Sequence, residues 1–203
     1  MRCAACPRRC GAERTNHTGL CNAGELPRVA RAALHFYEEP CISGTRGSGA
    51  VFFSGCNLSC VFCQNHVLHD GTAGRPHTPE QLAGVYLALQ ADGAHNINLV
   101  TPTPHLAAVR ASLLLARRRG LSIPVVYNTN AYELVPSLRA LEGLVDVYLP
   151  DLKYVTPALS ARFSGCADYF TFAAPAIQEM YRQVGTLRLD GDGMAVRGLL
   201  IRH

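Results

Sequence analysis

From about residue 48 onward, short apolar runs alternate with stripes of helical period, and that alternation leaves few folds open. Residues 50–54 (AVFFS), 97–101 (INLVT), 123–128 (IPVVYN), 145–149 and 198–203 (GLLIRH) read as strands. Thr78-Pro79-Glu80-Gln81 is a helix start, with an N-cap Thr, Pro at the first helical position and Gln three residues on from the cap. Leu82, Val85, Tyr86 and Leu89 then form one apolar stripe. Residues 105–119 read as a second helix stopped by Gly120. Residues 137–142 lie in a third, Thr156-Pro157 opens a short one, and 168–184 continues the helical layer. The DGDG run at 190–193 is a turn between two short strand-like runs. The class is α/β, built of parallel strand–helix–strand units with right-handed crossovers. Chemistry in such sheets gathers at the carboxyl ends of the strands. Cys56, Thr101, Asn128, Asp151 and His203 all sit at or just past such ends.

The first 45 residues lack this pattern. Four clustered cysteines, several Arg and Pro, and little periodicity mark residues 1–45 as a small metal-stapled module ahead of the main unit at 46–203. At the other end, a strand at 198–203 has no covering helix. A parallel sheet stopping there would expose an apolar edge, so the sequence is expected to be a fragment truncated at its C-terminus. An edge covered by a partner is the alternative.

No run of about 18 apolar residues is present, so no membrane span is expected. The opening MRCAACPRRC has charge and cysteine but no apolar core, which excludes a secretory signal and makes the chain cytoplasmic by expectation. Nine cysteines are many for a reducing compartment, where thiols bind metals or do chemistry rather than pair. Seven of them form two clusters, Cys3/Cys6/Cys10/Cys21 and Cys56/Cys60/Cys63. The odd total argues against a secreted disulfide framework. Cys41 and Cys166 stand apart and read as small buried hydrophobes. Net charge is only +4, and the one basic run, Arg117-Arg118-Arg119, sits where a helix C-terminus favours cations. No aromatic residues interleave it, so nucleic-acid binding is not expected.

Residues 54–65 (SGCNLSCVFCQN) carry the chemistry. C-x3-C-x2-C offers three thiolates within eight residues. A structural zinc normally takes four ligands, often as two separated pairs. Three thiolates on one loop instead suit an iron–sulfur cubane with one iron left open to a chelating substrate. Zinc and a plain electron-transfer cluster are the alternatives. The spacing resembles the C-x3-C-x-Φ-C signature of the radical SAM superfamily, with Phe62 at the aromatic position.

That resemblance implies that Cys56, Cys60 and Cys63 hold a [4Fe–4S] cluster whose fourth iron binds S-adenosylmethionine (SAM). Reductive cleavage then yields a 5′-deoxyadenosyl radical that abstracts hydrogen from a substrate. His35-Phe36-Tyr37-Glu38-Glu39-Pro40, Cys63-Gln64-Asn65, residues 98–105 (NLVTPTPH), Asn128-Thr129-Asn130 and residues 148–153 (YLPDLK) resemble the pyruvate formate-lyase activating enzyme family. The resemblance covers nearly the whole chain and implies a partial (β/α)6 barrel. It also implies a glycyl radical enzyme as partner and an electron donor of the flavodoxin or ferredoxin type.

Carried over residue by residue, Phe62, Asn65 and Thr101 join the SAM contacts. Asn128 and Asn130 approach SAM from the third strand of the reading. Asp151 and Lys153 contact SAM or substrate from the fourth, and Arg202 and His203 reach the SAM ribose or carboxylate from the fifth. Read without the family, Asp151 and Lys153 are a salt-bridged pair at a strand end, and Asn128 and Asn130 are turn residues. One departure stands out. Where many radical SAM proteins carry Gly-Gly-Glu after the second strand, this chain has Thr101-Pro102-Thr103-Pro104 and no carboxylate. The SAM amino group is left to backbone carbonyls, the two threonine hydroxyls or another strand.

Cys3, Cys6, Cys10 and Cys21 form C-x2-C-x3-C-x10-C, which closes a structural zinc site or a second Fe–S cluster equally well. His17, His66, His69, His77 and His95 show no ligand spacing and read as structural or surface residues. Two other functions compete with glycyl-radical activation. One is radical SAM chemistry on another substrate, and the other is a non-catalytic Fe–S or zinc protein that binds a partner.

Overall fold

The computed structural model describes residues 2–203. Strands β1 (Arg28–His35) and β2 (Ser48–Phe53) are joined through the single-turn helix α1 (Pro40–Ser43). Then follow β3 (Arg75–Pro76), α2 (Pro79–Ala91), β4 (Ile97–Val100), α3 (Leu106–Arg118), β5 (Val125–Thr129), α4 (Val135–Arg139) and β6 (Val147–Pro150). Helices α5 (Pro157–Ser164) and α6 (Tyr169–Val184) precede β7 (Arg188–Leu189) and β8 (Ala195–Leu199). The strand order is β3-β1-β2-β4-β5-β6-β8-β7. β2, β4, β5, β6 and β8 run parallel, while β1 and β7 flank them antiparallel. The two ends of the sheet do not meet, so the barrel is partial.

Alternation along the strands sorts side chains to two faces. Val51, Phe53, Ile97, Leu99 and Val125 pack outward against Leu82 and Tyr86 of α2 and Leu113 of α3. Tyr127 and Tyr148 meet Leu138 of α4 and Ala173 and Met180 of α6. On the inner face Val126, Val147 and Leu149 meet Ile42 of α1 and Ala195 of β8, which plug one end of the barrel. The carboxyl ends of the strands are left lining an open cavity.

Local signals hold where they were strongest. The Thr78 hydroxyl accepts from the Gln81 amide at 3.3 Å, and the Gln81 side chain accepts from the Thr78 amide at 2.9 Å, completing the capping box. Arg117 stands in the last turn of α3, but its side chain donates to the carbonyls of Leu121 and Ile123 in the following loop at 3.0 Å each and pairs with Asp146 at 2.6 Å, tying that loop and not the helix's own carbonyls. The turn at 190–193 does join β7 to β8.

Three boundaries differ from the sequence reading. β1, read as no strand, runs eight residues beside β2, so the sheet begins inside the segment drawn as the N-terminal module. Its RVARAALH sequence is half exposed and lacks strict alternation, and pairing alone makes it a strand. The last strand starts at Ala195, not 198, and ends at Leu199. Gly198, at φ +126, lies so close to Leu187 that a Cβ would stand 2.4 Å from its Cα. Beyond it the chain stays beside β6 through the Leu200 amide on the Tyr148 carbonyl at 3.0 Å and the bridge between Asp151 and Arg202. Helix α4 starts at Val135, two residues before the segment read as helical, and ends at Arg139. Among the described residues no helix is long and apolar enough to cross a membrane. All nine cysteines are free; Cys166 is buried in the core and Cys41 packs at its edge.

Candidate active site and metal centre

β2 hands the chain to the cysteine loop, whose backbone is tied to distant segments. The Cys56 amide donates to the Cys21 carbonyl at 3.0 Å, Ser59 to Ser164 at 3.2 Å and Val61 to Phe163 at 2.9 Å, while Cys63 closes a turn onto Cys60 at 3.2 Å. Asn57 donates to the Tyr132 carbonyl at 2.7 Å and accepts from the Asn130 amide at 2.8 Å. Cys56, Cys60 and Cys63 are thereby held along the wall of a cavity of about 830 Å³.

The sulfurs have donors. Cys56 Sγ accepts from the Leu58 backbone amide and from Asn130 Nδ2, both at 3.5 Å, and Cys60 Sγ accepts from the Ser164 hydroxyl at 2.9 Å. Such donors favour the thiolate, yet burial pushes the Cys56 thiol up to about 12 and raises Cys60 as well. A bound cation resolves that opposition, because a coordinated thiol is deprotonated outright. Among the described residues no three His, Cys, Asp or Glu side chains converge on one point as ligands of a lone ion would. Three cysteines on one loop lining open space are the residues that would hold an iron–sulfur cluster, whose soft thiolate-bound irons would supply the redox chemistry.

Around this loop the cavity gathers most of the residues singled out in the sequence. Phe62 and Asn65 line it from the loop itself, with Lys153 Nζ 5.8 Å from the Phe62 ring centroid. Thr101 lines it at φ +59, just past β4. Asn128, Asp151 and Arg202 form one network. Arg202 Nε donates to Asp151 at 2.7 Å, its Nη2 to Asn128 Oδ1 at 2.7 Å and its Nη1 to Glu38 at 3.1 Å. Lys153 pairs with the other Asp151 oxygen at 2.7 Å, so the strand-end salt bridge is real and faces the cavity. His203 lies apart. It faces a smaller neighbouring pocket of about 290 Å³ and has its Nδ1 2.5 Å from the Leu152 carbonyl.

Two residues have side chains claimed by the protein itself; for Asn130 the turn-residue reading holds, since its Oδ1 accepts the amide two residues on at 3.0 Å. Asn130 lines the cavity, but its side chain is spent on Cys56, Asn57 and the Tyr132 amide, so it orients the cysteine loop from the end of β5. Thr103 is turned away, with its hydroxyl donating to Glu133 at 2.5 Å, and is 1% exposed. That removes one of the two hydroxyls considered for the SAM amino group.

Sequence reasoning gave no role to Glu38, Glu133 or Tyr169. Glu38 lines the cavity just after β1; burial raises its carboxyl and Arg202 pulls it down. It supplies a carboxylate that the segment after β4 lacks. The Tyr169 hydroxyl sits 2.6 Å from the Asp151 carbonyl and 2.9 Å from that of Asn130, tying the ends of β6 and β5. Glu38 stands three residues past the end of β1, a strand its own sequence does not announce, so its place at a strand end was not legible. Nothing local marks Glu133 or Tyr169, whose partners are distant or buried.

The N-terminal cysteines gather beside this loop. A methyl group at Gly19 would stand 3.3 Å from both Cys10 Sγ and Cys21 Sγ. Cys6 and Cys21 are buried, and burial pushes the Cys6 thiol up to about 11. Burial also raises Cys10, but backbone donors from Ala12 and Leu20 and the nearby Arg14 outweigh it and hold that thiol low.

A partial α/β barrel with three loop thiols beside a polar cavity at its strand ends defines an iron–sulfur enzyme that binds a chelating cofactor. The sequence profile of the Radical SAM superfamily matches residues 50–168, and the chain belongs to that superfamily. Membership implies a [4Fe–4S] cluster and SAM. The chain is also 34% identical over 177 residues to the Uncharacterized protein MJ0674 of Methanocaldococcus jannaschii, covering 83% of this chain and 50% of that protein. It thus spans about half the length of the curated relative it matches.

Proposed function

We propose that this chain carries the catalytic core of a radical SAM enzyme that installs a glycyl radical on a partner protein, as a pyruvate formate-lyase activating enzyme does. The observation that carries the reading is the placement of Cys56, Cys60 and Cys63 on one wall of a cavity that Asn128, Asp151 and Arg202 complete. A bound [4Fe–4S] cluster and SAM supply the hard chemistry there, one-electron cleavage to a 5′-deoxyadenosyl radical.

The protein's part is positioning. The three thiolates fix the cluster, and Asn130 and Ser164 hold two of their sulfurs. Asn128, Arg202, Glu38 and Asp151 present fixed donors and acceptors to the polar ends of the cofactor. At about 830 Å³ the cavity is large enough for SAM and a substrate side chain together. Tyr37, Phe62 and Val67 line the cavity yet are 90%, 55% and 63% exposed, and such apolar surface suits a macromolecular substrate. A flavodoxin or ferredoxin supplies the electron, the setting is cytoplasmic, and the N-terminal cysteines carry a second metal, zinc or Fe–S.

Anaerobically reconstituted protein, reduced with dithionite in the presence of SAM, is expected to release methionine and 5′-deoxyadenosine. Added glycyl radical enzyme should then show a glycyl doublet in electron paramagnetic resonance. Cleavage without that doublet favours another substrate, traced by deuterium transfer into 5′-deoxyadenosine. A full cluster that never cleaves SAM refutes the reading.

A further inference from the structure

Residues 2–24 contain no helix or strand. Apart from Cys6 and Cys21, only Pro7, Gly19 and Ala23 are buried in this stretch, and Leu20 is 71% exposed. A segment with so little apolar burial does not offset its own ordering entropy and needs a covalent or metal staple. Its cysteines are unpaired as disulfides. Backbone bonds from Gly11 to Cys3 at 3.1 Å and from Cys3 to Ala12 at 3.0 Å bring Cys3 to the turn that carries Cys10. A further turn, Arg9 onto Cys6 at 3.0 Å, folds Cys6 back into the same group. Gly19, without a side chain, lets Cys10 and Cys21 approach from opposite flanks. Arg14 Nη2 reaches Cys21 Sγ at 3.4 Å and offsets part of the negative charge four thiolates would bring.

The contacts this segment makes are as informative as its thiols. Cys21 accepts the amide of Cys56, the first ligand of the cysteine loop. Gly55, at φ +88, is pressed so close that a Cβ there would lie 2.6 Å from the Cys21 carbonyl oxygen. Arg8 Nε donates to the Asn57 carbonyl at 2.9 Å, on the other side of Cys56, and Arg8 Nη1 to Gly165 at 2.8 Å. Asn22 donates to the His69 carbonyl at 2.7 Å, and Arg14 to that of Pro104. Cys56 is therefore bracketed on both flanks by a segment that has little else to hold it in shape.

We propose that Cys3, Cys6, Cys10 and Cys21 bind one metal centre through four thiolates, and that this centre is a clasp that keeps the Cys56–Cys63 loop ready to ligate its cluster. Cys21 is the joint, offering its sulfur to the clasp and its carbonyl to Cys56. The clasp's effect on the cluster rests on the radical SAM reading above, whereas the existence of the metal site does not. Cys10 and Cys21 flank Gly19, and the four thiols do not converge on one point without metal, so a shared centre requires that binding draw them together.

The test starts from the full chain with Cys56→Ala, Cys60→Ala and Cys63→Ala, so that any metal left belongs to the N-terminal site. Incubated anaerobically with zinc alone, or with iron and sulfide, it should retain about one zinc or about four irons per chain. Adding Cys3→Ser and Cys10→Ser should abolish that retention. Metal held this way supports the site even where wild-type protein assembles no cubane, an outcome that sinks only the radical SAM reading. A folded triple variant that holds neither metal overturns the proposal. For the clasp, Cys10→Ser/Cys21→Ser in the otherwise intact chain should lose cluster iron to a chelator about tenfold faster than wild type, as loss of supporting contacts does at metal sites. Arg8→Met, which keeps every thiol and removes the Arg8 bonds to the Asn57 and Gly165 carbonyls, gives the same readout should the double variant not fold. Equal rates of iron loss overturn the clasp.

Discussion

Replacing Glu133 by Gln should change how stability responds to pH. Glu133 is 1% exposed and collects three hydroxyl donors on one oxygen: Thr103 at 2.5 Å, Thr129 at 2.6 Å and Tyr127 at 3.3 Å. Its other oxygen is buried with no partner. Burial pushes the carboxyl from 4.5 up to about 7, with the three donors pulling the other way. Between those values the folded chain keeps the proton and the unfolded chain releases it, so stability falls as pH rises. The contribution is complete below 4.5 and gone above about 7. That gap corresponds to about 3 kcal/mol. With a urea slope of about 2–3 kcal/mol per molar, the wild-type midpoint should fall by about 1 M relative to Glu133→Gln between pH 5 and pH 8. Urea unfolding of both proteins at matched metal loading reads this directly. Midpoints that move in parallel across that range would refute the buried, neutral carboxyl.

His105 should show the opposite sign. Its Nε2 donates to the Ser54 carbonyl at 2.9 Å, and burial lowers the imidazole from 6.5 to about 4. Stability that is whole above 6.5 is then lost as pH falls toward 4, and His105→Gln should remove that acid-side loss in the same urea series. Arg202→Met leaves Glu38 and Asp151 without their shared cation and should lower unfolding stability by about 1–3 kcal/mol. Arg202→Lys should recover less than half of it, because an ammonium cannot reach Asp151, Asn128 and Glu38 at once. Thermal midpoints of the three proteins that coincide would show that the network contributes nothing.

How much of this was legible in the chain depended on the range of the forces involved. The parallel centre of the sheet was readable because its strands are buried on both faces and so are mostly apolar, broken only by buried polar residues such as Asn98 and Asn128. β1 was not, because its strand character comes from pairing with β2 and not from its own residues. The ligand loop was readable because its three cysteines fall within eight residues at a spacing that matches a superfamily signature. Thr103 was misplaced because a buried carboxylate 30 residues away claims its hydroxyl, and the contacts of the Asn130 amide with Cys56 and Asn57 were not legible because those partners lie more than 70 residues away.

The sequence alone determined the alternation of strand and helix, the cysteine spacing and the polar residues at the strand ends, since each is set by local periodicity or by the chemistry of a few neighbours. The tertiary structure decided which of those polar groups face the cavity. It brought Arg202 to Asp151 across 51 residues and Glu38 to Arg202 across 164. It also laid the N-terminal cysteines against the cluster loop. Hydrogen bonds and burial depend on what the folded chain brings within a few ångströms, and no stretch of sequence contains its own neighbours.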